Sequence, residues 1–363
     1  MASDIDQAAL FAYLRKRFGA TRLQEFKLLG EGVYGHAHLA VFDTRTGRRR
    51  LVVKTMHRGG FGHDHFSDIA GNLLYANLVY NKLPNHVKAF DVIGINPDGS
   101  IASAGEAREF YILLEEARGR LYNQDLDEIL QGRKAAWTDF ERARLLADYL
   151  AGIHAVKKNN PVLYTRRARD LVGHGEYIMG VLDGYPSAGL KENFAAPKDF
   201  EKIAKLGVEW WMRLKAYPHR LSQVHGDFHP FNIFFDSDKL VTIDRSRGEW
   251  GEPADDTTSL SINYIFWALL QRGEFSGDFE KLFQDFFKYY LAKTKDKEIL
   301  EVSQPFWAFR AVVLACPVFY SDEFFRKKTG ELTAKQFRKT MFRFATRVME
   351  TEKVDLKKIN DLL

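Results

Sequence analysis

Hydrophobic patterning changes period once along this chain, and that change divides it into two structural regimes. In the first third, Glu25 to Gly30, Ala37 to Phe42, Leu51 to Lys54, Val87 to Ile95 and Glu109 to Leu114 read as strands. Turn signals separate them around Gly47 and at Asn96-Pro97-Asp98-Gly99. One stretch of helical periodicity, Ile69 to Leu83, interrupts the strands and stops at Pro84. From Leu126 onward the period lengthens to that of helices. Thr138-Asp139-Phe140-Glu141 has the form of a capping box, opening a helix with Leu145, Leu146, Tyr149, Leu150 and Ile153 on one side. Another helix is expected from Pro197 to about Tyr217, with proline in its first turn and Pro218 ending it. Short strands are expected at Val224 to Phe235 and Lys239 to Asp244, and after Pro253 the chain reads as helical nearly to its end. A leading helix over residues 4–18, capped by Ser3 or Asp4, precedes the strands.

The chain is long enough, at 363 residues and 45% hydrophobic, for one large or two moderate cores, so two lobes are expected. The first is a β-rich N-terminal lobe over 1–117 and the second a helical C-terminal lobe over 118–363, with the crossover near Glu115 to Gly119. The net charge of +5 is mild, and no basic block exceeds Arg48-Arg49-Arg50, which argues against a nucleic-acid partner. A single cysteine, Cys316 in the apolar run Val312 to Val318, excludes an internal disulfide and any multi-cysteine zinc site. It reads as a buried, inert thiol. No uncharged stretch approaches the roughly 20 apolar residues that span a bilayer, and the N-terminus is no signal peptide. A cytoplasmic protein with no membrane partner is expected, and its oligomeric state is not legible.

Two motifs carry chemistry. Gly30-Glu31-Gly32-Val33-Tyr34-Gly35 is a G-x-G-x-x-G string, which also marks dinucleotide-binding turns. In those turns the glycines open a helix, whereas here the alternating His36 to Phe42 follows. A glycine turn between antiparallel strands can lay backbone N–H groups over a triphosphate, and Lys54 then falls where a cation holds phosphates. A plain hairpin turn with a surface lysine is the alternative. The second motif is more specific: Val224-His225-Gly226-Asp227-Phe228-His229-Pro230-Phe231-Asn232-Ile233, followed by Val241-Thr242-Ile243-Asp244. Phosphoryl transfer to a hydroxyl needs a carboxylate to orient and deprotonate it, and oxygen ligands for Mg²⁺. Asp227 and Asn232, five apart on one loop, and Asp244 at the end of a short strand supply those groups.

The string H-G-D-x-H-P-x-N followed by I-D resembles the signature of aminoglycoside phosphotransferases, choline kinases and related small-molecule kinases. Gly251-Glu252-Pro253-Ala254-Asp255-Asp256 resembles the family's G-x-P-x-x-D segment, and Leu146 to Ala155 resembles its helix ending in L-H-A. The resemblance runs from about Phe26 to Leu270. It implies an α+β, two-lobed protein-kinase-like fold with a small β-rich N-lobe and a larger, mainly helical C-lobe. It also implies Mg²⁺ and ATP or GTP as co-substrate. By residue match, Asp227 is the base, Asn232 and Asp244 hold metal, and Asp256 braces the catalytic loop. Gly30, Gly32, Gly35 and Lys54 hold phosphate, and the backbone around Leu114 to Ala117, including Glu115 and Glu116, meets the nucleotide base. His225 and His229 are expected to brace the loop.

The pattern departs from the family in one respect. Between Lys54 and Ala104 there is no glutamate to orient the lysine, and only Asp64, Asp68 and Asn72 lie near the helix start. A nucleotide-binding pseudokinase and a protein-hydroxyl kinase therefore stay open beside the small-molecule kinase. Arg245 and Arg247 either meet an anionic group of the acceptor or pair with Glu249 and Glu252. His36, His38 and His63-Asp64-His65 fall short of a zinc set. The aromatic run Trp307, Phe309, Phe319, Tyr320, Phe324 and Phe325 reads as core, with a few rings available to an acceptor pocket. His174-Gly175-Glu176 is a loop candidate for that pocket. Asp322 and Glu323 alone do not make the acidic ring a polycationic aminoglycoside needs, so the expected acceptor is a small hydroxylated metabolite of another kind.

Overall fold

The computed structural model describes residues 5–57, 66–104, 110–188, 194–237, 239–245, 247, 249–328 and 332–363. The chain divides into two compact units, one comprising residues 1–119 and 241–248, the other 120–240 and 249–363. The N-terminal antiparallel sheet followed by a largely helical remainder is a protein-kinase-like fold.

In the first unit, helix α1 (Gln7–Phe18) leads into strands β1 (Ala20–Gly32), β2 (Gly35–Thr44) and β3 (Gly47–Met56). Helix α2 (Phe66–Tyr80) follows, then β4 (Ala89–Ile95), β5 (Ile101–Ser103) and β6 (Phe110–Glu115). The strands form one sheet in the order β1-β2-β3-β6-β4-β5. The Asp6 carboxylate caps α1 by accepting the Ala9 N–H at 2.8 Å, so the cap falls two residues later than expected and Ser3 and Asp4 lie outside the described residues. Gly19, left-handed at φ 68°, ends the helix.

Alternation along β3 assigns its faces. Leu51 and Val53 join Leu10, Tyr13 and Leu14 of α1 in one apolar cluster, with Phe42, Tyr111 and Leu113. Val52 and Met56 pack on the opposite side, against Ile69, Leu73, Ala76 and Val79 of α2. Lys54, between Val52 and Met56, therefore shares the α2 face. The two clusters take the two faces of β3, so Leu51 and Val53 alternate with Val52 along it.

The second unit opens with β7 (Arg120–Leu121) and continues through α3 (Tyr122–Leu130), α4 (Trp137–His154), α5 (Pro161–Gly173), α6 (Ile178–Ala188) and α7 (Pro197–Leu214). After β8 (Ser222–Gln223), a loop containing the 3-10 turn Pro230–Asn232 leads to β9 (Ile233–Asp236) and β10 (Lys239–Thr242). Then come β11 (Trp250–Gly251), α8 (Pro253–Arg272), α9 (Gly277–Thr294), α10 (Ile299–Val302), α11 (Gln304–Ala315), α12 (Asp322–Lys328), α13 (Ala334–Met349) and α14 (Ile359–Leu362). Helix α4 starts at Trp137, not at a Thr138 cap. Asp139 reaches back to accept the Ala136 N–H at 2.7 Å, while Arg133 pairs with the same carboxylate and holds it there. The aromatic run packs as core: Trp307 and Phe309 are buried on α11, and Phe325 meets Phe337 at 5.0 Å between ring centroids. Cys316 is buried and its pKa is pushed up to about 11 by desolvation, so the thiol is inert at neutral pH. Among the described residues no helix is long and apolar enough to cross a membrane.

The chain returns to the first unit at Val241. There the Thr242 N–H donates to the Asn85 carbonyl at 3.1 Å, and Val241 and Ile243 pack on the α2 cluster. That docking delivers Asp244 to the face of the sheet carrying Lys54.

The hairpin joining β1 and β2 has a two-residue tip, since Gly32 pairs with Gly35. A Cβ on Gly35 would lie 1.9 Å from the Thr55 carbonyl oxygen, whereas one on Gly30 would meet nothing within 4 Å. Gly35→Ala is expected to cost roughly 1–3 kcal/mol through forced backbone displacement, and Gly30→Ala to leave stability nearly unchanged. Thermal unfolding of the two variants checks this. Equal melting of Gly35→Ala and wild type would contradict the close approach.

Candidate active site

In the first unit the glycine hairpin and the lysine lie on adjoining strands. Ala37 on β2 is opposite Lys54 on β3, and Lys54 is also opposite Ile112 of β6. Lys54 Nζ lies 3.1 Å from Asp244 Oδ1, and both side chains are about a third exposed. Asp244 thus takes the partnership that a helix glutamate would supply, and the missing glutamate leaves no unpaired lysine behind. Asp244 adopts φ 61°, a left-handed conformation that costs a non-glycine residue about 1 kcal/mol. Such strain persists only where neighbours enforce it, and here both flanks are fixed. Ile243 is packed on the α2 cluster, and Arg245 is fully buried with Nη1 donating to the Val79 carbonyl at 3.1 Å. Arg245 is therefore a brace of this turn and not a surface group for the acceptor. Glu116 pairs with Arg50, at 2.9 Å to Nη2, and that guanidinium holds its carboxyl below the usual range. The Glu115 N–H donates to the Lys88 carbonyl at 2.9 Å, so any contact of this segment with a base falls to other backbone groups.

The second unit holds the loop from His225 to Asn232, and a buried carboxylate shapes it. Asp256, in the first turn of α8 and inaccessible to solvent, accepts the His225 N–H through Oδ2 and the Gly226 N–H through Oδ1, each at 2.7 Å. His154, ending α4, lies 3.2 Å from Oδ2 and is itself fixed by Tyr290 at 2.8 Å. Burial penalises the charge of Asp256, yet His154 and the His225 N–H hold its pKa below the ordinary carboxylate value. Gly226 takes φ 87°, which a side chain would resist. The chain then turns so that the His229 N–H donates to the Asp227 carbonyl at 3.0 Å. Asn232 Nδ2 donates to the same carbonyl at 3.0 Å and lies 3.2 Å from His229 Nε2. The amide nitrogen of Asn232 is thus committed to the loop. His225 and His229 brace the loop, as expected: His225 Nδ1 accepts the Asp227 N–H at 3.3 Å, and His229 Nδ1 accepts that of Phe231 at 3.3 Å.

Two of the groups that complete this half, Arg310 and Tyr177, carry no signal in the sequence. Arg310 on α11 donates through Nη1 to Asp227 Oδ1 at 2.7 Å and through Nη2 to Asp255 Oδ1 at 2.6 Å. Asp255 also accepts the Tyr177 hydroxyl at 3.2 Å. Tyr320 belongs to the same neighbourhood, since burial first and the Asp227 charge second push its hydroxyl pKa up. Arg310 is separated from Asp227 by 83 positions, and a lone arginine in an aromatic helix carries no motif. Asp322 pairs with Arg338 at 2.6 Å and Glu323 with Lys327 at 2.6 Å, so neither stands as an open acidic site. The His174 loop closes on itself, the Glu176 N–H donating to His174 Nδ1 at 3.2 Å. Segment 63–65 lies outside the described residues. Among the described residues no group of three or more His, Cys, Asp or Glu could hold a metal alone.

A kinase-like fold whose loop presents Asp227 and Asn232 in this way defines a phosphotransferase. The chain belongs to the phosphotransferase enzyme family, APH, whose model matches residues 37–284. Among solved structures it is similar to choline kinase from Cryptosporidium parvum, with a TM-score of 0.54 at 13% identity, covering 94% of this chain and 95% of that one. It is similar to an ethanolamine kinase from Plasmodium vivax, with a TM-score of 0.54 at 13% identity, covering 92% and 86%. An amicoumacin kinase solved with AMP-PNP and Ca²⁺ matches with a TM-score of 0.53 at 13% identity, covering 96% of each chain. No curated protein sequence matches significantly. The chain is thus a member of a phosphotransferase family on a fold shared with these kinases.

The loop's dependence on Asp256 has a pH signature. A carboxylate whose folded pKa lies below its unfolded value, about 3.9, contributes stability fully above that value and loses it as pH falls through the folded pKa. Asp256→Asn is expected to cost about 1–3 kcal/mol at pH 7, since the amide leaves one of the two buried loop N–H groups without its carboxylate acceptor. The gap from wild type should shrink below about pH 4. Urea unfolding at both pH values measures it, and a gap unchanged by pH would contradict the account.

Proposed function

We propose that the enzyme transfers the γ-phosphoryl group of Mg·ATP or Mg·GTP to a hydroxyl of a small metabolite, with Asp227 as the base. The observation that carries this reading is the 225–232 loop: an Asp carboxylate anchored by Arg310, on a backbone pinned by Asp256 and closed by Asn232. Asp227 orients the acceptor hydroxyl and receives its proton. The acceptor oxygen forms a bond to the γ-phosphorus while the bond from that phosphorus to the β,γ-bridging oxygen breaks, and this oxygen leaves on the nucleoside diphosphate. Relatives solved with ADP or AMP-PNP support a nucleotide co-substrate.

The oxygen donors present fit Mg²⁺: the Asn232 amide oxygen and the Asp244 carboxylate would hold it, and when bound it neutralises charge on the phosphates. Lys54, fixed by Asp244 on one side of the sheet, would hold the α- and β-phosphates beneath the hairpin of Gly30, Gly32 and Gly35. Because positioning and charge neutralisation supply most of the rate in such reactions, rigid anchoring of these groups is the expected design. Asp255, Asp322 and Glu323 are all paired with arginine or lysine, which argues for an acceptor other than a polycation.

Asp227→Ala is expected to lower acceptor-dependent turnover by about 10²–10⁴-fold, the usual worth of a positioned general base, with nucleotide affinity nearly intact. Turnover close to wild type would exclude Asp227 as the base. Asp244→Ala should instead abolish the Mg²⁺ dependence of nucleotide binding in calorimetric titration, and an unchanged titration would remove Asp244 from the metal site.

A further inference from the structure

Arg310 joins α11 to two carboxylates, one on the loop from His225 to Asn232 and one at the start of α8. It projects from the middle of α11, is only 6% exposed, and spends its two terminal nitrogens on different partners. Nη1 donates to Asp227 Oδ1 at 2.7 Å, and Nη2 donates to Asp255 Oδ1 at 2.6 Å and reaches the Gly226 carbonyl at 3.4 Å. Asp255 is held in turn by the Tyr177 hydroxyl at 3.2 Å, and the Tyr177 ring packs on Phe309 with centroids 4.8 Å apart. The chain of contacts therefore runs from a helix-packed tyrosine through a carboxylate and a planar cation to the base.

From this we propose that Arg310 is a positioning residue for phosphoryl transfer, one that fixes the plane of the Asp227 carboxylate, with Asp255 as its anchor. This inference rests on the reading of Asp227 as the base. A carboxylate can rotate about its bond to Cβ, and one bond to a flexible ammonium would not stop it. A guanidinium presents its donors in one rigid plane, and with one arm tied to Asp255 its orientation is fixed before it meets Asp227. The Gly226 contact ties the same plane to the loop backbone beside the base. The guanidinium is divided between the Asp227 carboxylate and Asp255.

The test is steady-state kinetics of Arg310→Met, Arg310→Ala, Arg310→Lys and Asp255→Asn in the full chain, with the acceptor that supports wild-type turnover, each variant checked for wild-type circular dichroism. Misplacing a reacting group by about an ångström costs about 100-fold, so Arg310→Met is expected to lose kcat on that scale. The nucleotide KM should stay within roughly threefold, since the interaction is made by the base and not by nucleotide. Added guanidinium ion is expected to restore activity in Arg310→Ala, whose truncated side chain leaves room for it, but not in Asp227→Ala, a rescue that a packing defect would not show. Arg310→Lys, which keeps the charge and supplies a foldable alternative if the methionine variant is unstable, should recover only part of kcat. Asp255→Asn should lower kcat less than Arg310→Met. Arg310→Lys or Arg310→Met with wild-type kcat, in an enzyme that still needs Asp227, would overturn the positioning role alone. Equal loss of kcat without guanidinium rescue would assign Arg310 to packing and overturn it too. A wild type whose turnover survives Asp227→Ala would overturn the reading of the base and this inference together.

Discussion

Two backbone N–H groups at His225 and Gly226 converge on one buried carboxylate, and the shape of the loop from His225 to Asn232 depends on that convergence. Asp256 can carry charge at zero exposure because those donors and His154 replace its water. Its place in the first turn of α8 helps, since a helix N-terminus favours negative charge. The same turn aims two more acids. Glu252 caps the helix, accepting the Ala254 N–H at 3.3 Å, and binds the buried Arg220. Arg220 also pairs with Asp296 at 2.7 Å, which ties the start of α8 to the segment after α9. Asp255 faces Arg310. Three acids at one helix start therefore serve the loop backbone, Arg310 and the surrounding helices separately.

In the first unit the organising constraint is parity along a strand. Lys54 shares a face with Val52 and Met56, and the chain returns at Val241 to dock on that face. Sheet pleating and one apolar contact thus bring Asp244 beside the lysine without a helix glutamate. The buried Arg245 and Tyr80 close the back of the same turn, and burial together with the Asp244 charge drives the Tyr80 hydroxyl pKa well up. The left-handed Asp244 is then the product of anchoring on both sides.

The loop was legible in the sequence because its chemistry is local. Asp227, Asn232 and the histidines that brace them lie within eight residues, and the glycine at 226 announces a turn that only glycine makes easily. The strands of the first unit were legible from alternation, and the helices from their period and proline stops. Helix starts shifted where a carboxylate two or three residues along reached back to cap, as Asp139 does for Ala136. Arg310 was illegible for a different reason. Its partners are 83 and 55 positions away, and its own neighbourhood, Trp307 to Leu314, reads as uniform core. Arg245 read as a surface cation because arginine usually is one, and only the Val79 carbonyl at the end of α2 shows why it is buried. The partner of Lys54 was likewise hidden, because Asp244 had already been assigned a metal and the pairing crosses 190 residues of chain.

The most direct measurement is to follow phosphorus itself. The purified chain is incubated with Mg·ATP and a panel of sugars, amino alcohols and other hydroxylated metabolites, and the products are read by ³¹P NMR. Stoichiometric nucleoside diphosphate and a phosphomonoester resonance coupled to the protons of one acceptor are expected. Phosphorus recovered only as inorganic phosphate, or only on the protein, would contradict transfer to a small-molecule hydroxyl.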